Sequence, residues 1–337
     1  MFSISWLRSS PRTARPVQRS AILRVEELEI RNTPSGIFSY DPVTRTLVVT
    51  GTDPQTLFGF SQSTTATASG PFTIYTMTMD GTFQQVNSAQ VGTIIVNGQG
   101  AFNTAGIITN DTFFGTDGLI HETAEVVSVG NGGGTVEKLD AQGNATPFMT
   151  LNGFQTIFVT AGHADQGFLL CTPGQSNTFV GAGSYAYMVT GSNFYYITGA
   201  QFVYSFALNP AIDSAFQYDG SGASAFVVNG LANSFMLGTD HGQSFFNEGV
   251  GYSMHNEGIA QHPGDTAFFY DSSGDDAFVG NTLQSEVIYN YSGPQSSTIT
   301  ASLFSQVFAF SEHGGADIAH IFNAQVNHVV GFVVLTA

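Results

Sequence analysis

Short apolar runs separated by turn residues recur along most of this chain. Runs of about four residues follow one another roughly every 10–12 residues, which is typical of β-strands joined by tight turns. After residue 36, no apolar pattern with the period of a helix is long enough to predict one. We therefore predict an all-β body over residues 36–337 with no internal domain boundary. The clearest runs are residues 46–51, 72–79, 92–96, 105–109, 126–129, 267–270, 277–279, 286–289, 298–301 and 307–310.

A degenerate repeat underlies this rhythm in the C-terminal half. Similar segments, such as DSAFQYD and DTAFFYD, begin at Asp165, Asp213, Asp265 and Asp317, and their starts are 48, 52 and 52 residues apart. Glycine follows nine positions after each of the first three aspartates. A fixed period of this length is typical of stacked or repeated architectures, so we predict units of about 50 residues.

Two architectures fit such a repeat. In a parallel β-solenoid, each unit forms two coils of about 20–26 residues and equivalent residues stack in ladders. Phe168, Phe216 and Phe268 would form one such ladder. In a tandem series of antiparallel β-sandwiches, the runs would instead pair as hairpins. Because stacking requires the nearly constant spacing seen in four units, we predict a single parallel β-solenoid or β-helix, with the tandem sandwich as the alternative.

The charges are divided unequally along the chain. Six of the eight basic residues lie in the first 31 positions, which sum to +3, while residues 32–337 carry only Arg45 and Lys138 and sum to −20. Since so few cations cannot neutralise phosphates, nucleic acids and anionic membrane surfaces are excluded as partners of the body. Hydrophobic residues make up 42% of the chain, too many for an acidic disordered protein. No run of about 18 apolar residues occurs, so no transmembrane segment is predicted.

Residues 1–35 form a basic leader. They lack the apolar core of a secretory signal peptide, because Arg8 interrupts the first apolar run. We predict that the leader is disordered or contains one short amphipathic helix over residues 21–31, which must end before Pro34.

The end of this leader resembles a known export sequence. Residues 25–35, VEELEIRNTPS, match every fixed position of the leader V-E-x-L-E-x-R-x-x-P-S found on cell-surface proteins of planctomycete bacteria. The C-terminal repeat, clearest as DTAFFYDSSGDDAF at residues 265–278, is similar to repeats of the large extracellular proteins that carry this leader. The resemblance implies a protein located at the cell surface or outside the cell, by an export route that these residues do not define.

Aspartates near glycines are candidates for turn formation or calcium binding. The spacing Asp-x-x-Gly, at residues 140–143, 219–222 and 271–274, fits a type I turn in which aspartate accepts local backbone N–H groups. Calcium is the alternative, because it takes several oxygen ligands and Asp271, Asp275 and Asp276 lie within six residues. Residues 110–118, NDTFFGTDG, also resemble one turn of the calcium β-roll of secreted toxins and proteases, with Asp111 and Asp117 as candidate ligands.

No catalytic constellation is evident in the sequence. The chain has neither a Gly-x-Ser-x-Gly nucleophile elbow nor a His-x-x-x-His pair that would favour zinc. His241, His255 and His262 follow one another within 22 residues and are expected in turns or at the surface. The single Cys171 excludes an intramolecular disulfide and is expected to be buried.

These observations favour an exported, non-enzymatic protein of the cell surface or extracellular matrix with a structural or adhesive role. Its predicted partners are other copies of itself, surface or matrix components, or glycans. Residues 328–337 are an apolar run that forms either the last core strand or a surface that stacks on a neighbouring copy. The alternative function, a carbohydrate-active β-helix enzyme or a glycan-binding module, rests on analogy between folds, so enzymatic activity stays open.

Overall fold

A computed structural model describes this chain over residues 36–52, 55–68, 70–99, 102–109, 112–114, 117, 119–122, 124–140, 142–230, 233–252, 255–294 and 296–335. Within these ranges the chain forms β-strands and no helix, which confirms the predicted all-β class. Accordingly, the described residues contain no helix with the length and apolar character needed to cross a membrane. The predicted leader, residues 1–35, lies outside the described residues and stays a prediction.

The strands are short and follow one another in close succession. In chain order they are β1 (Ile37–Asp41), β2 (Thr46–Thr50), β3 (Leu57–Thr67), β4 (Gly70–Met79), β5 (Thr82–Asn87), β6 (Thr93–Asn97), β7 (Thr104–Ile108), β8 (Thr112–Phe114), β9 (Ile120–Glu122), β10 (Glu125–Gly130), β11 (Gly133–Leu139), β12 (Ala145–Asn152), β13 (Thr156–Thr160), β14 (Gln166–Leu170), β15 (Asn177–Ala182), β16 (Tyr185–Thr190), β17 (Asn193–Thr198), β18 (Phe202–Phe206), β19 (Ser214–Tyr218), β20 (Ser224–Asn229), β21 (Asn233–Asp240), β22 (Gln243–Val250), β23 (His255–Ile259), β24 (Thr266–Tyr270), β25 (Ala277–Gly280), β26 (Gln284–Tyr289), β27 (Ser297–Ser302), β28 (Gln306–Phe310), β29 (Ile318–Ile321), β30 (Asn327–Val330) and β31 (Val333–Leu335).

Most strands belong to two large mixed sheets. Sheet A has 14 strands in the order β1-β2-β6-β12-β11-β10-β14-β18-β22-β21-β20-β24-β28-β30. Sheet B has 15 strands in the order β31-β29-β25-β26-β27-β23-β19-β15-β16-β17-β13-β7-β3-β4-β5. Strands β8 and β9 form a separate two-stranded sheet.

One rule describes how the chain builds both sheets from β13 to β28. One strand is added to each sheet, and a three-stranded antiparallel meander is then added to one of them. After β13 and β14, strands β15, β16 and β17 form a meander in sheet B; after β18 and β19, strands β20, β21 and β22 form a meander in sheet A. Neighbouring units join through parallel pairs, such as β15 with β19. Successive meanders therefore alternate between the sheets, and each unit of about 50 residues contains one of them.

This alternation corrects the predicted phenylalanine ladder. Phe168 lies in sheet A beside Tyr204, whereas Phe216 lies in sheet B beside Glu257, and Phe268 is again in sheet A. The three residues cannot stack, because equivalent positions of successive units belong to different sheets. The parallel solenoid is not confirmed either, since antiparallel meanders interrupt the parallel pairs. The parallel pairs, in turn, do not fit a series of separate antiparallel sandwiches.

The leading aspartate of each repeat is a buried link between neighbouring units. These aspartates directly precede β14, β19, β24 and β29 and are almost completely buried. Each carboxylate accepts a backbone N–H at the start of the preceding meander, over 2.7–3.0 Å. The repeat found in the sequence thus marks the positions where one unit is bonded to the next. The donor and acceptor pairs are Glu125 with Asp165, Asn177 with Asp213, Ser224 with Asp265, and Asp276 with Asp317.

The two large sheets pack face to face through alternating apolar side chains. In β26, for example, every second residue is buried, as expected of a strand with one face on a core. One apolar cluster joins Val127 and Leu169 of sheet A to Ile157 and Ile197 of sheet B. A second cluster surrounds Phe226 toward the C-terminal part of the body. The core therefore lies between the sheets, and each sheet has an outward face.

Candidate functional site

The outward face of sheet B carries a cluster of aromatic side chains. Tyr185 and Tyr196 stack with ring centroids 5.7 Å apart, and Tyr187 lies 5.6 Å from Phe194. Phe158 lies 5.9 Å from Phe194 and is 45% exposed. These residues alternate with buried ones along β13, β16 and β17, which directs their side chains away from the core. We call these five residues the aromatic face.

A pocket of about 430 Å³ adjoins the aromatic face. Two of the five aromatic residues, Tyr185 and Tyr187, form part of its wall, and Tyr218 contributes a third phenol. Asp219 and His262 also line it. Flat apolar rings and hydrogen-bonding groups therefore share one opening, which is the usual composition of a ligand-binding site.

Asp219 and His262 meet because their strands are neighbours. Asp219 directly follows β19, His262 lies in the turn after β23, and these two strands are parallel partners in sheet B. One oxygen of Asp219 accepts the backbone N–H groups of Gln261 and His262 at 2.8 and 3.0 Å, and it lies 2.9 Å from His262 Nδ1. This hydrogen bond raises the pKa of His262 above its usual value. The Asp219 side chain has no exposed surface, whereas that of His262 is half exposed.

Asp265 completes a group of three potential ligands with Asp219 and His262. One ligand atom from each residue lies within 4.8 Å of the others, and this is the one such group of three among the described residues. Asp265 is buried and accepts the backbone N–H of Ser224 at 2.7 Å. Burial, together with the neighbouring carboxyl of Asp219, raises the pKa of Asp265 to about 6.

Asp240 forms another part of the pocket wall. Its carboxylate accepts hydrogen bonds from Ser184 Oγ at 2.7 Å and from the backbone N–H groups of Ser184 and Ser221 at 3.1 Å. Burial alone would raise the pKa of Asp240, but these hydrogen bonds outweigh it and bring the pKa to about 2. Asp240 is therefore a negatively charged acceptor at ordinary pH, and its neighbour His241 is exposed at the rim.

A second aspartate and histidine pair occupies the equivalent turn of the next unit. Asp271 follows β24, and His313 lies in the turn after β28, its parallel partner in sheet A. One oxygen of Asp271 accepts the backbone N–H of His313 at 2.8 Å, and the other lies 2.7 Å from His313 Nδ1. The hydrogen bond to Asp271 raises the pKa of His313. The same local motif thus recurs on both sheets.

The His313 pair predicts a loss of stability as pH rises above neutrality. Because the pKa of His313 is raised in the folded protein, its contribution is complete below the unfolded value of about 6.5 and disappears as pH rises through the folded value. We expect His313→Gln to lower the thermal midpoint more at pH 5.5 than at pH 8.5. His241→Gln is the control, because the His241 imidazole is 85% exposed and lies 3.7 Å from Asp240, beyond hydrogen-bond distance. We expect its effect on the thermal midpoint to be small at both pH values. An equal effect of His313→Gln at both pH values would contradict the prediction.

The residues predicted to bind calcium are held by hydrogen bonds to the protein. Both oxygens of Asp271 accept from His313; Asp276 accepts the backbone N–H of Asn290 at 2.9 Å. Asp275 accepts the backbone N–H of Ala316 at 2.8 Å. These donors lie 14 to 42 positions away along the chain, so they are not the local contacts predicted for a type I turn. Asp140 does make the local contact, because it accepts the backbone N–H of Gln142 at 2.9 Å. The three aspartates do not form a group of three ligands within the described part of the chain, so calcium binding here stays a prediction.

The predicted β-roll turn is only partly described. Asp117 is exposed and accepts the backbone N–H of Leu119 at 3.0 Å, as a turn aspartate does. Asp111 lies outside the described residues. Calcium binding at this second position is therefore also still a prediction.

The grouping of Asp219, His262 and Asp265 was missed by analysis of the sequence. Asp219 was assigned to a turn, Asp265 was identified only as the leading aspartate of a repeat, and His262 was counted among the histidines of turns or the surface. A usable clue was present, because His262 follows Asp219 by 43 residues and His313 follows Asp271 by 42 residues. A histidine at a nearly constant distance from the second aspartate of a repeat indicates a contact between neighbouring units.

Both cations of the body are engaged by other parts of the protein. The Arg45 side chain donates to the carbonyl oxygens of Ala89 and Gln90. Lys138 Nζ lies 4.9 Å from the ring centroids of both Tyr75 and Phe148. An anionic ligand would therefore find no lysine or arginine side chain in the pocket beside the aromatic face. No protein family, curated protein or solved structure matches this chain.

Proposed function

We propose that this chain is an exported, non-enzymatic adhesive protein of the cell surface or extracellular matrix, and that its aromatic face binds neutral glycans. The observation that carries this proposal is the cluster of aromatic rings on an outward sheet face beside an open pocket. Surface aromatic rings that contact one another form an apolar patch, and such patches are typical of interaction sites. Export is supported by the resemblance of residues 25–35 to planctomycete leaders.

The chemistry of the face favours neutral sugars over anionic ligands. Aromatic rings offer flat apolar contacts, while the Asp240 carboxylate and the His262 imidazole offer hydrogen bonds to hydroxyl groups. The body is strongly acidic, so anionic polymers are repelled. We further propose that the alternating meanders form a rigid scaffold of the β-solenoid kind. An array of copies of this chain would then present the aromatic face many times.

The enzymatic alternative draws less support from the same pocket. Hydrolysis of a glycosidic bond uses two carboxyl groups that both reach the substrate. Asp219 and Asp240 line the pocket, but the pKa of Asp240 is lowered to about 2, which does not suit a general acid. Asp265, whose raised pKa would suit an acid, does not line the pocket. Adhesion without cleavage therefore fits the arrangement better.

Co-sedimentation with insoluble neutral polysaccharides tests this function. We expect the full chain to bind at least one member of a panel of neutral β- and α-glucans, mannans and chitin, without releasing soluble sugar. The double variant Tyr185→Ala/Tyr187→Ala is expected to weaken this binding at least about tenfold, since each anchor contributes on the order of 1 kcal/mol or more. Tyr270→Ala/Phe310→Ala is the matched control, because these rings stack 5.2 Å apart in sheet A.

Three outcomes would contradict the proposal. The first is that the wild-type chain binds no member of the panel. The second is that the Tyr185→Ala/Tyr187→Ala variant binds as well as the wild type. The third is the release of soluble sugar, which would favour the alternative function, a carbohydrate-active enzyme.

A further inference from the structure

Two buried oxygens in the Asp219, His262 and Asp265 group have no hydrogen-bond partner. They are Asp219 Oδ1 and Asp265 Oδ2, and both belong to side chains that are more than nine-tenths buried. The other oxygen of each carboxylate is bonded to the protein, to Gln261 and His262 in one case and to Ser224 in the other. Leaving buried polar groups unpaired is costly, and such groups commonly mark a bound ion or a functional site.

The equivalent turn in the next unit shows how this region looks when the carboxylates are satisfied. There, Asp317 takes the place of Asp265, and its Oδ2 accepts a hydrogen bond from Ser311 Oγ at 2.6 Å. Ser311 directly follows β28, whereas the residue that directly follows β23 is Ala260, which has no hydroxyl group. Both oxygens of Asp271 are also bonded to His313. The two unpaired oxygens are thus specific to one turn and are not a general feature of the repeat.

We propose that Asp219, His262 and Asp265 bind a divalent transition-metal ion of the Zn²⁺ type. The group offers two carboxylates and one imidazole, both of which are ligand types that zinc accepts, and two carboxylates balance the charge of the ion. Calcium fits less well, because it takes six to eight oxygen ligands and prefers no nitrogen. The ion would satisfy the two buried oxygens, as Ser311 satisfies Asp317.

An entry path to the site is present. His262 is half exposed and, with Asp219, lines the pocket beside the aromatic face. A metal ion can therefore reach the buried carboxylates from solvent past the imidazole. Since a metal competes with protons for all three ligands, its affinity should fall as the pH is lowered. The metal site shares the His262 imidazole with the proposed glycan contacts, but metal binding is measured without a glycan, so the two proposals can fail separately.

Calorimetric titration of the metal-free full chain with ZnCl₂ tests the proposal. We expect one saturable site per chain in the wild type, with a rise in thermal midpoint on addition of the ion. His262→Gln and Asp265→Asn should each weaken Zn²⁺ binding at least about 100-fold, because each removes a ligand or its charge. Asp265→Asn keeps an oxygen that can accept from Ser224. If this variant fails to fold, the half-exposed His262 still provides the test.

His313→Gln is the matched control. It removes an equivalent imidazole from the turn in which Asp317 is already satisfied, so Zn²⁺ binding should stay within about twofold of the wild type. Absence of saturable binding in the wild type would overturn the proposal and favour a proton shared between the two carboxylates. Unchanged binding by His262→Gln, or an equal loss with His313→Gln, would equally overturn it, because the ion would then lie elsewhere or bind histidines at random.

Discussion

Replacement of Asp213 with alanine is expected to lower the free energy of unfolding by about 3–5 kcal/mol. The Asp213 carboxylate is fully buried and accepts four hydrogen bonds. They come from Asn177 N and Nδ2, at 3.0 and 2.8 Å, and from the backbone N–H groups of Leu208 and Asn209, at 3.0 and 2.8 Å. Removing it leaves the three backbone N–H groups without their acceptor and removes the side-chain link that supports the pairing of β19 with β15. Equilibrium unfolding in urea measures the loss.

Asp140→Ala is the matched control for this substitution. The Asp140 carboxylate accepts three hydrogen bonds, from the backbone N–H groups of Gln142 and Asn144 and from Asn144 Nδ2. Its turn is exposed, so water replaces the lost acceptor, and we expect only a small fraction of the effect of Asp213→Ala. Similar losses in the two variants would show that the link between units is not what makes the buried aspartate important.

Replacement of Phe226 with alanine is expected to cost about 3–5 kcal/mol of folding stability. Phe226 is fully buried, lies 6.1 Å from Phe304 in a stacked pair, and meets Phe269 edge-on at 6.4 Å. It also covers Gly258, where a Cβ atom would overlap the ring. Since glycine has no side chain that can move into the space, a cavity should persist in the variant. Thermal and urea unfolding measure the effect.

Phe158→Ala provides the comparison for the core substitution. Phe158 also has two ring neighbours, Phe194 at 5.9 Å and Tyr196 at 6.2 Å, but it is 45% exposed on the aromatic face. We expect a loss of only about 1 kcal/mol, which is typical of a cross-strand pair at a sheet surface. A loss as large as that of Phe226→Ala would mean that ring contacts, and not burial, dominate the stability of both positions.

Individual strands were predictable from local patterning. The apolar runs at residues 286–289 and 298–301 lie within β26 and β27, and the run at 126–129 lies within β10. Alternation with a period of two residues is a property of each strand alone, because one face contacts the core and the other does not. The repeat starts were also informative, since each leading aspartate opens a strand and bonds to the unit before it.

The pairing of these strands was not predictable in the same way. Asp213 and Asp265 begin nearly identical segments, yet the strands that follow them belong to different sheets. Both environments bury one face of a short strand, so the local pattern is the same in each. The predicted stack of Phe168, Phe216 and Phe268 was wrong for this reason.

The candidate metal site was likewise only partly predictable from the sequence. The amino-acid order alone establishes an acidic, all-β body with about 50-residue units, aspartates at the turns and histidines at a recurrent distance from them. It does not establish that Asp219 and Asp265 retain unpaired oxygens while Asp317 is satisfied by Ser311. That difference arises because parallel strand pairs bring together turns that are distant in the sequence. Ser311 supplies a hydroxyl group in one turn, whereas Ala260 has none in the other. Contacts between residues some 40 positions apart depend on strand pairing, which no local pattern specifies.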